Sequence, residues 1–405
     1  MINKTYIVAS TLALTSVINA QTLFVEDPNE DQGESLPLQY TVSASVGYDD
    51  HFTSTDSSEG SDSIYTNAAL GVNYVNASPQ TTWKIGAHLS ASKFSEDDRG
   101  GSGVFYNARL NLDLNHRINA RTRFVSSNYV SYGLEPDYSF SFSENGAPTE
   151  NLFYNLDNAI GHRWTTRLGT YTGVRLSGVE YFGSNSGQDD RLTYSLYNTF
   201  RYSLTPRTIL TTSTSWARTK ASGSAGDSTD ILATVGLDHK LSPRSYVTAQ
   251  AGVNYRNVSG GRDGYTNPHI SASLNNSINS RLRLRTFIRY GIENFGTSQG
   301  VNTFDTNQAI RVGFRANYTV SSKLSLNAGI NYIRYDFSDG RNTATNTSIS
   351  GEENELINPY IGFTYRVNSK TSVNASYHYT DSSSSFRNTD DFQRNRVQLG
   401  VSRVF

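Results

Sequence analysis

The residues of this chain best suited to chemistry are its arginines, and the chemistry they suggest is the holding of anions. Over residues 281–292, Arg281, Arg283, Arg285 and Arg289 alternate with Leu282, Leu284, Thr286, Ile288 and Tyr290. Successive side chains of a β-strand point to opposite faces, so these arginines share one face and the apolar residues take the other. Further on, Arg311 and Arg315 oppose Ile310, Val312, Phe314 and Ala316, and Arg167, Arg175, Arg394 and Arg396, with Arg109 and Arg256, fall on the equivalent face of their own segments. A guanidinium is a permanently charged fork of donors that fits carboxylates, phosphates and sugar hydroxyls. A stripe of them beside water would favour anionic or polar solutes. The same residues have a structural use, pairing with carboxylates of their own face such as Asp113 and Asp238.

Bond-making chemistry finds no support. The seven histidines, His51, His88, His116, His162, His239, His269 and His378, are scattered without nucleophile or metal-ligand spacing, so neither an enzyme, nor a metal centre, nor a cofactor site is expected. A net charge of −1 gives no footprint for nucleic acid.

What positions the arginines is a repeating hairpin. Short segments joining Asn, Ser, Thr, Ala or Pro to a polar or basic residue recur about every 40 residues, at 77–80, 118–121, 204–207, 241–244, 278–281, 320–323 and 367–370, with a weaker copy at 162–165. Runs of alternating apolar and polar residues flank each. Tyr40, Val42, Ala44, Val46 and Tyr48 oppose Thr41, Ser43, Ser45 and Gly47, and Tyr106, Ala108, Leu110, Leu112 and Leu114 oppose Asn107, Arg109, Asn111, Asp113 and Asn115. Counting these runs predicts about eighteen antiparallel strands between 38 and 405, or sixteen if a hairpin in the indistinct stretch 135–166 is miscounted. Segments of this length, tilted, cross a bilayer. Only 36% of residues are hydrophobic while 12% are aromatic, too few aliphatics for a soluble core of this size but enough for the outer face of a barrel around water. The expected fold class is therefore all-β, a transmembrane antiparallel up-and-down β-barrel.

Residues 1–20 read as a signal peptide, with Lys4, an apolar stretch from Tyr6 to Val17 and Ile18-Asn19-Ala20 before Gln21; residues 21–37 read as a flexible periplasmic leader and 38–405 as the barrel. Long acidic connections (Asp49, Asp50, Asp56, Glu59 and Asp62; Glu96, Asp97 and Asp98; Asp189 and Asp190; Glu352, Glu353 and Glu355) are expected at the cell exterior, opposite the short turns. They suit solvation, or cation bridges to lipopolysaccharide. Tyr48, Tyr74, Tyr132, Tyr255, Tyr290, Tyr318 and Tyr335 are assigned to interfacial girdles, leaving Tyr197 and Phe287 as the aromatics of inward parity.

The final strand places Val397, Leu399, Val401 and Phe405 on one face. It resembles the C-terminal signal of bacterial outer-membrane proteins, which the barrel-assembly machinery recognises; Arg403 departs from that pattern on the outward face. The whole of 38–405 resembles the β-barrel porin and outer membrane β-barrel protein group of Gram-negative bacteria. That resemblance implies the bacterial outer membrane, with its lipid and lipopolysaccharide as surroundings, and an association with exopolysaccharide loci. A homo-oligomer is compatible with it. The functional expectation is passive diffusion of small polar, anion-preferring solutes through an Arg-lined lumen, the alternative being a non-conducting structural or interaction barrel that assists polysaccharide export or surface attachment.

Overall fold

The computed structural model describes residues 38–53, 61–95, 103–134, 150–182, 190–222, 226–259, 264–293, 298–299, 302–342, 344–345, 347–349, 351–385 and 391–405. The expected signal peptide and leader lie outside these residues, as do 135–149 and the loop acids Asp56, Glu59, Glu96, Asp97, Asp98 and Asp189.

Eighteen strands make one closed wall. Each pairs antiparallel with its neighbours in sequence, from Leu38–Thr53 and Ser61–Ala77 through to Thr371–Ser384 and Phe392–Val404. The last strand pairs back onto the first, from Thr41 opposite Val404 to Asp49 opposite Arg396. Closure is what hydrocarbon demands, because an open edge would leave backbone N–H and C=O groups with no partner in lipid. Two further short segments, Ser298–Gln299 and Thr347–Ile349, extend hairpins at the loop end and are not staves of the wall. The wall strands run from 11 residues (Leu282–Ile292) to 19 (Leu324–Asn342). With a tilt near 40° each residue advances ~2.5 Å along the barrel axis, so the shortest strand already spans the ~25 Å apolar band.

Alternation sorts the faces as the pattern requires. Val42, Val46, Leu70 and Leu89 stand outward and exposed, as do Val397, Leu399, Val401 and Phe405 on the closing strand. Arg403, also outward, lays its guanidinium 5.2 Å from the centre of the Phe405 ring. That contact lets its charged end reach the rim along an apolar surface.

The short turns share one device, which explains their composition. Asn119 Oδ1 accepts the backbone N–H of Arg121 at 2.8 Å and of Thr122 at 2.9 Å. Asn279 does the same for Arg281 and Leu282, and Asn368 for Lys370 and Thr371. Hydroxyls of Ser321 and Thr165 take the same place, while those of Ser78, Thr205 and Ser242 each hold one such N–H. The side chain stands in for the ladder bond that the chain loses on reversing direction. In the weak copy the cap is Thr165, so that turn lies at 164–167, between Arg163 and Leu168, two residues later than expected. Replacing Asn279 with Ala removes the one oxygen that accepts two backbone N–H groups and should lower the unfolding free energy by about 1 kcal/mol, read from urea unfolding in detergent micelles; an unchanged midpoint would mean that water replaces the caps without loss.

The inner face is not uniformly polar. Toward the loop end it carries buried clusters of Ile333, Tyr335, Phe337, Phe304, Ala309 and Leu356, of Tyr65, Phe94 and Leu134, and of Tyr129, Phe153 and Val179. Tyr335, assigned to a girdle from sequence, is 1% exposed and turned inward. The expectation of apolar side chains on the outer face alone is corrected to this extent.

Candidate lumenal site

Inside the wall lies a cavity of about 840 Å³. Arg109, Arg315, Arg394 and Arg396 line it with His88 and His378, amid hydroxyls and amides such as Ser43, Ser45, Asn67, Asn107, Asn327, Asn331 and Asn358. No aspartate or glutamate is among its described lining residues. The strands put these groups there by parity alone: Arg315 shares its face with Arg311 and Gly313, and opposes Phe314 and Ala316.

The nominated arginines divide by their partners. Arg175 is held by Asp157 at 2.6 Å, directly across the Asn151–Arg163 and Leu168–Tyr181 pair, and Tyr197 donates to the same carboxylate at 2.6 Å. Arg311 grips Glu293 through Nε and an Nη, both at 2.8 Å, and Arg289 meets the same glutamate. Arg394 and Arg396 both reach Asp49. Arg256 is paired likewise with Asp230 at 2.8 Å, and so is an inward arginine outside that set, Arg201, with Asp238 at 2.7 Å. Glu293 sits just past the end of its strand; burial opposes its charge, but Arg311 and Arg289 outweigh that and hold its carboxyl at about 2. Its network therefore stays ionised far below neutral pH.

Arg285 and Arg315 are different. They stand opposite each other across the ladder, two like charges in register. Arg315 Nε donates to the Tyr360 hydroxyl at 2.8 Å, and Arg285 Nε is shielded with no hydrogen-bond partner. Arg283 stands exposed two residues nearer the turn, facing Asn317. Arg281 and Arg167 lie in turns at the rim, not on the strand wall where the sequence placed them.

Inward aromatics are more numerous than the two found from sequence. Tyr197 and Phe287 do face inward, and Tyr65, Tyr171 and Tyr360 join them, each ring lying over a glycine of the neighbouring strand: Gly173, Gly313, Gly47, Gly161 and Gly329 respectively. A Cβ at any of these glycines would collide with the ring. Tyr360 also stacks on His378 at 5.4 Å and carries Arg315 near its face at 6.0 Å. Parity would have found it, since Tyr360 alternates with Ile361 and Phe363. Asp49 and Asp50, read as loop acids, are strand residues; Asp49 is fully buried at the seam. Glu352, Glu353 and Glu355 likewise belong to the strand Glu352–Arg366.

Residues 243–405 match the family model described as outer membrane protein beta-barrel domain. Among solved structures, the chain is similar to OccK5 (OpdH) of Pseudomonas aeruginosa, at 12% identity over 91% of this chain and 98% of that one with a TM-score of 0.44. It is similar to OpdK of the same organism, at 11% over 91% and 99% with 0.46. It is also similar to the FrpB iron transporter (F3-3 variant) of Neisseria meningitidis, at 8% over 94% and 83% with 0.42. At such identities, what those proteins carry does not transfer to this chain. Comparison with curated proteins finds no match. The C-terminal part of this closed antiparallel wall, residues 243–405, is thus an outer membrane protein beta-barrel domain, which places the chain in the bacterial outer membrane.

Proposed function

We propose that the barrel is a passive diffusion channel for small hydrophilic solutes, with anions favoured by the basic part of its inner wall. The observation that carries this reading is the cavity bordered by Arg109 and Arg315, and by Arg394 and Arg396 with Asp49 behind them, with no carboxylate among its described lining residues, and with Arg285 and Arg315 facing one another beside it. Like charges directly opposed on a sheet repel, and an anion between them removes that repulsion. Hydroxyls and amides along the cavity replace part of a solute's water shell. Movement would be diffusion down a gradient, with no step that makes or breaks a bond.

One observation favours the second reading, a non-conducting barrel: the buried apolar clusters inside the loop end. Apolar side chains on the inner side that are hidden from water narrow the bore there. Planar-bilayer recording of the refolded protein under a KCl gradient separates the two. Steady conductance is expected, with a reversal potential on the anion side that moves toward zero in Arg283→Ser/Arg285→Ser. A folded barrel that never conducts would establish the second reading.

A further inference from the structure

One sector of the outer wall does not suit lipid. On the five adjacent strands Thr122–Gly133, Asn151–Arg163, Leu168–Tyr181, Arg191–Thr205 and Thr208–Ala221, the outward positions include Ser126, Asn128, Asn158, Thr172, Asn198 and Thr214. Their outward parity is set by neighbours such as Ile160, Val174, Leu196 and Phe200, all about half exposed. Each lies four to seven residues from the turn end of its strand. At ~2.5 Å of axial rise per residue that is the middle of the apolar band. The opposite wall presents Val397, Leu399, Val401, Val42 and Val46 at comparable positions.

The stripe partly satisfies itself. Asn158 donates to Asn128 Oδ1 at 3.4 Å, Asn128 to Ser126 Oγ at 2.7 Å, and Asn198 to Thr172 Oγ1 at 2.6 Å. Asn198 Oδ1 is shielded and has no partner, and whichever way that amide is turned one end is left over. Thr172 and Thr214 stand exposed beside it; lipid tails supply neither donor nor acceptor, so further partners for this outward polar band have to come from protein.

We propose that this stripe is the contact face between two copies of the chain in the membrane. Two features select a second copy over a different protein. Amides and hydroxyls each donate and accept, and the six residues carry no charge, so the surface is its own complement. The stripe also keeps nearly one depth across five strands. Two barrels inserted in the same direction are related by a two-fold axis along the membrane normal, which preserves depth and brings such a band against its own image. The bonds inside one barrel then exchange for, or add to, bonds between barrels.

The chain has no cysteine, so single cysteines report contact without background. Thr172→Cys and Thr214→Cys, oxidised in outer membranes, should give a species of twice the monomer mass. Ile361→Cys, outward on the far wall, should not. Each variant is scored after it shows the heat-dependent gel shift of a folded barrel, with Thr212→Cys in place of any that does not. Asn158→Leu/Asn198→Leu should abolish the wild-type dimer in native mass spectrometry from mild detergent while leaving a folded monomer. Stripe cysteines that never link above the level of Ile361→Cys overturn the proposal, and so does linkage to a protein of another mass.

Discussion

Replacing Asp49 with alanine is expected to cost the barrel about 3–5 kcal/mol, the usual penalty for breaking a buried ion pair from one side. Asp49 is fully buried on the first strand and takes Arg394 Nε, from the last strand, at 2.8 and 3.1 Å on its two oxygens. Arg396 Nε reaches the same carboxylate at 3.4 Å. The adjacent Asp50 accepts both the backbone N–H and the side-chain amide of Asn395, each at 2.6 Å. These bonds pin the one seam whose strands are not joined by a turn, so no local connection restores the pairing once it opens. Removing the carboxylate leaves the Arg394 guanidinium, 7% exposed as a residue, without its main counter-charge. The loss should appear as an earlier urea midpoint and a lower temperature for the gel shift. Asp49→Ala/Arg394→Ala, which removes both charges, should recover part of it. A single-mutant loss below ~1 kcal/mol would mean that the backbone ladder alone keeps the seam closed.

The wall was legible in the sequence because its causes are local. Period-two alternation, and an Asn, Ser or Thr whose side chain caps the next two amides, act within a few residues; strands such as Asn151–Arg163 and Ser245–Val258 fall where the pattern puts them. The faces of the arginines follow from the same period. Their partners do not, because those depend on register between strands. Asp157 meets Arg175 only when the intervening turn lies at 164–167, and displacing that turn by two residues toward the N-terminus shifts every pairing in the hairpin. The seam is more remote still, since Asp49 and Arg394 are 345 residues apart and nothing near Asp49 distinguishes a buried seam acid from a solvated loop acid. The outward Asn128, Asn158 and Asn198 are visible in the sequence as polar residues at apolar parity, but only the register aligns them into one stripe.

Exchanging Arg109 and Arg315 together for glutamate should move the channel from anion to cation preference, with the permeability ratio changing by roughly 5- to 30-fold. That range corresponds to about 1–2 kcal/mol, the scale on which a reversed fixed charge a few ångströms from a permeating ion acts in a well-hydrated pore. These two are chosen because both border the cavity and neither forms an ion pair with a carboxylate among the described residues: Arg109 lies 5.9 Å from the centre of the Tyr129 ring, and Arg315 is bonded to Tyr360. The paired arginines make the control. Arg175 is balanced by Asp157, so Asp157→Asn/Arg175→Gln removes one charge of each sign and should leave the reversal potential where it was. Arg175→Gln alone would unmask Asp157 and shift selectivity toward cations, which is why the double variant is needed. Screening adds a second check: the Debye length falls from about 10 Å at 0.1 M salt to about 3 Å at 1 M, so the difference between wild type and the glutamate variant should shrink as both baths are made more concentrated. A shift that persisted unchanged at 1 M would indicate an altered bore rather than an altered field, and would remove the arginines from the account of selectivity.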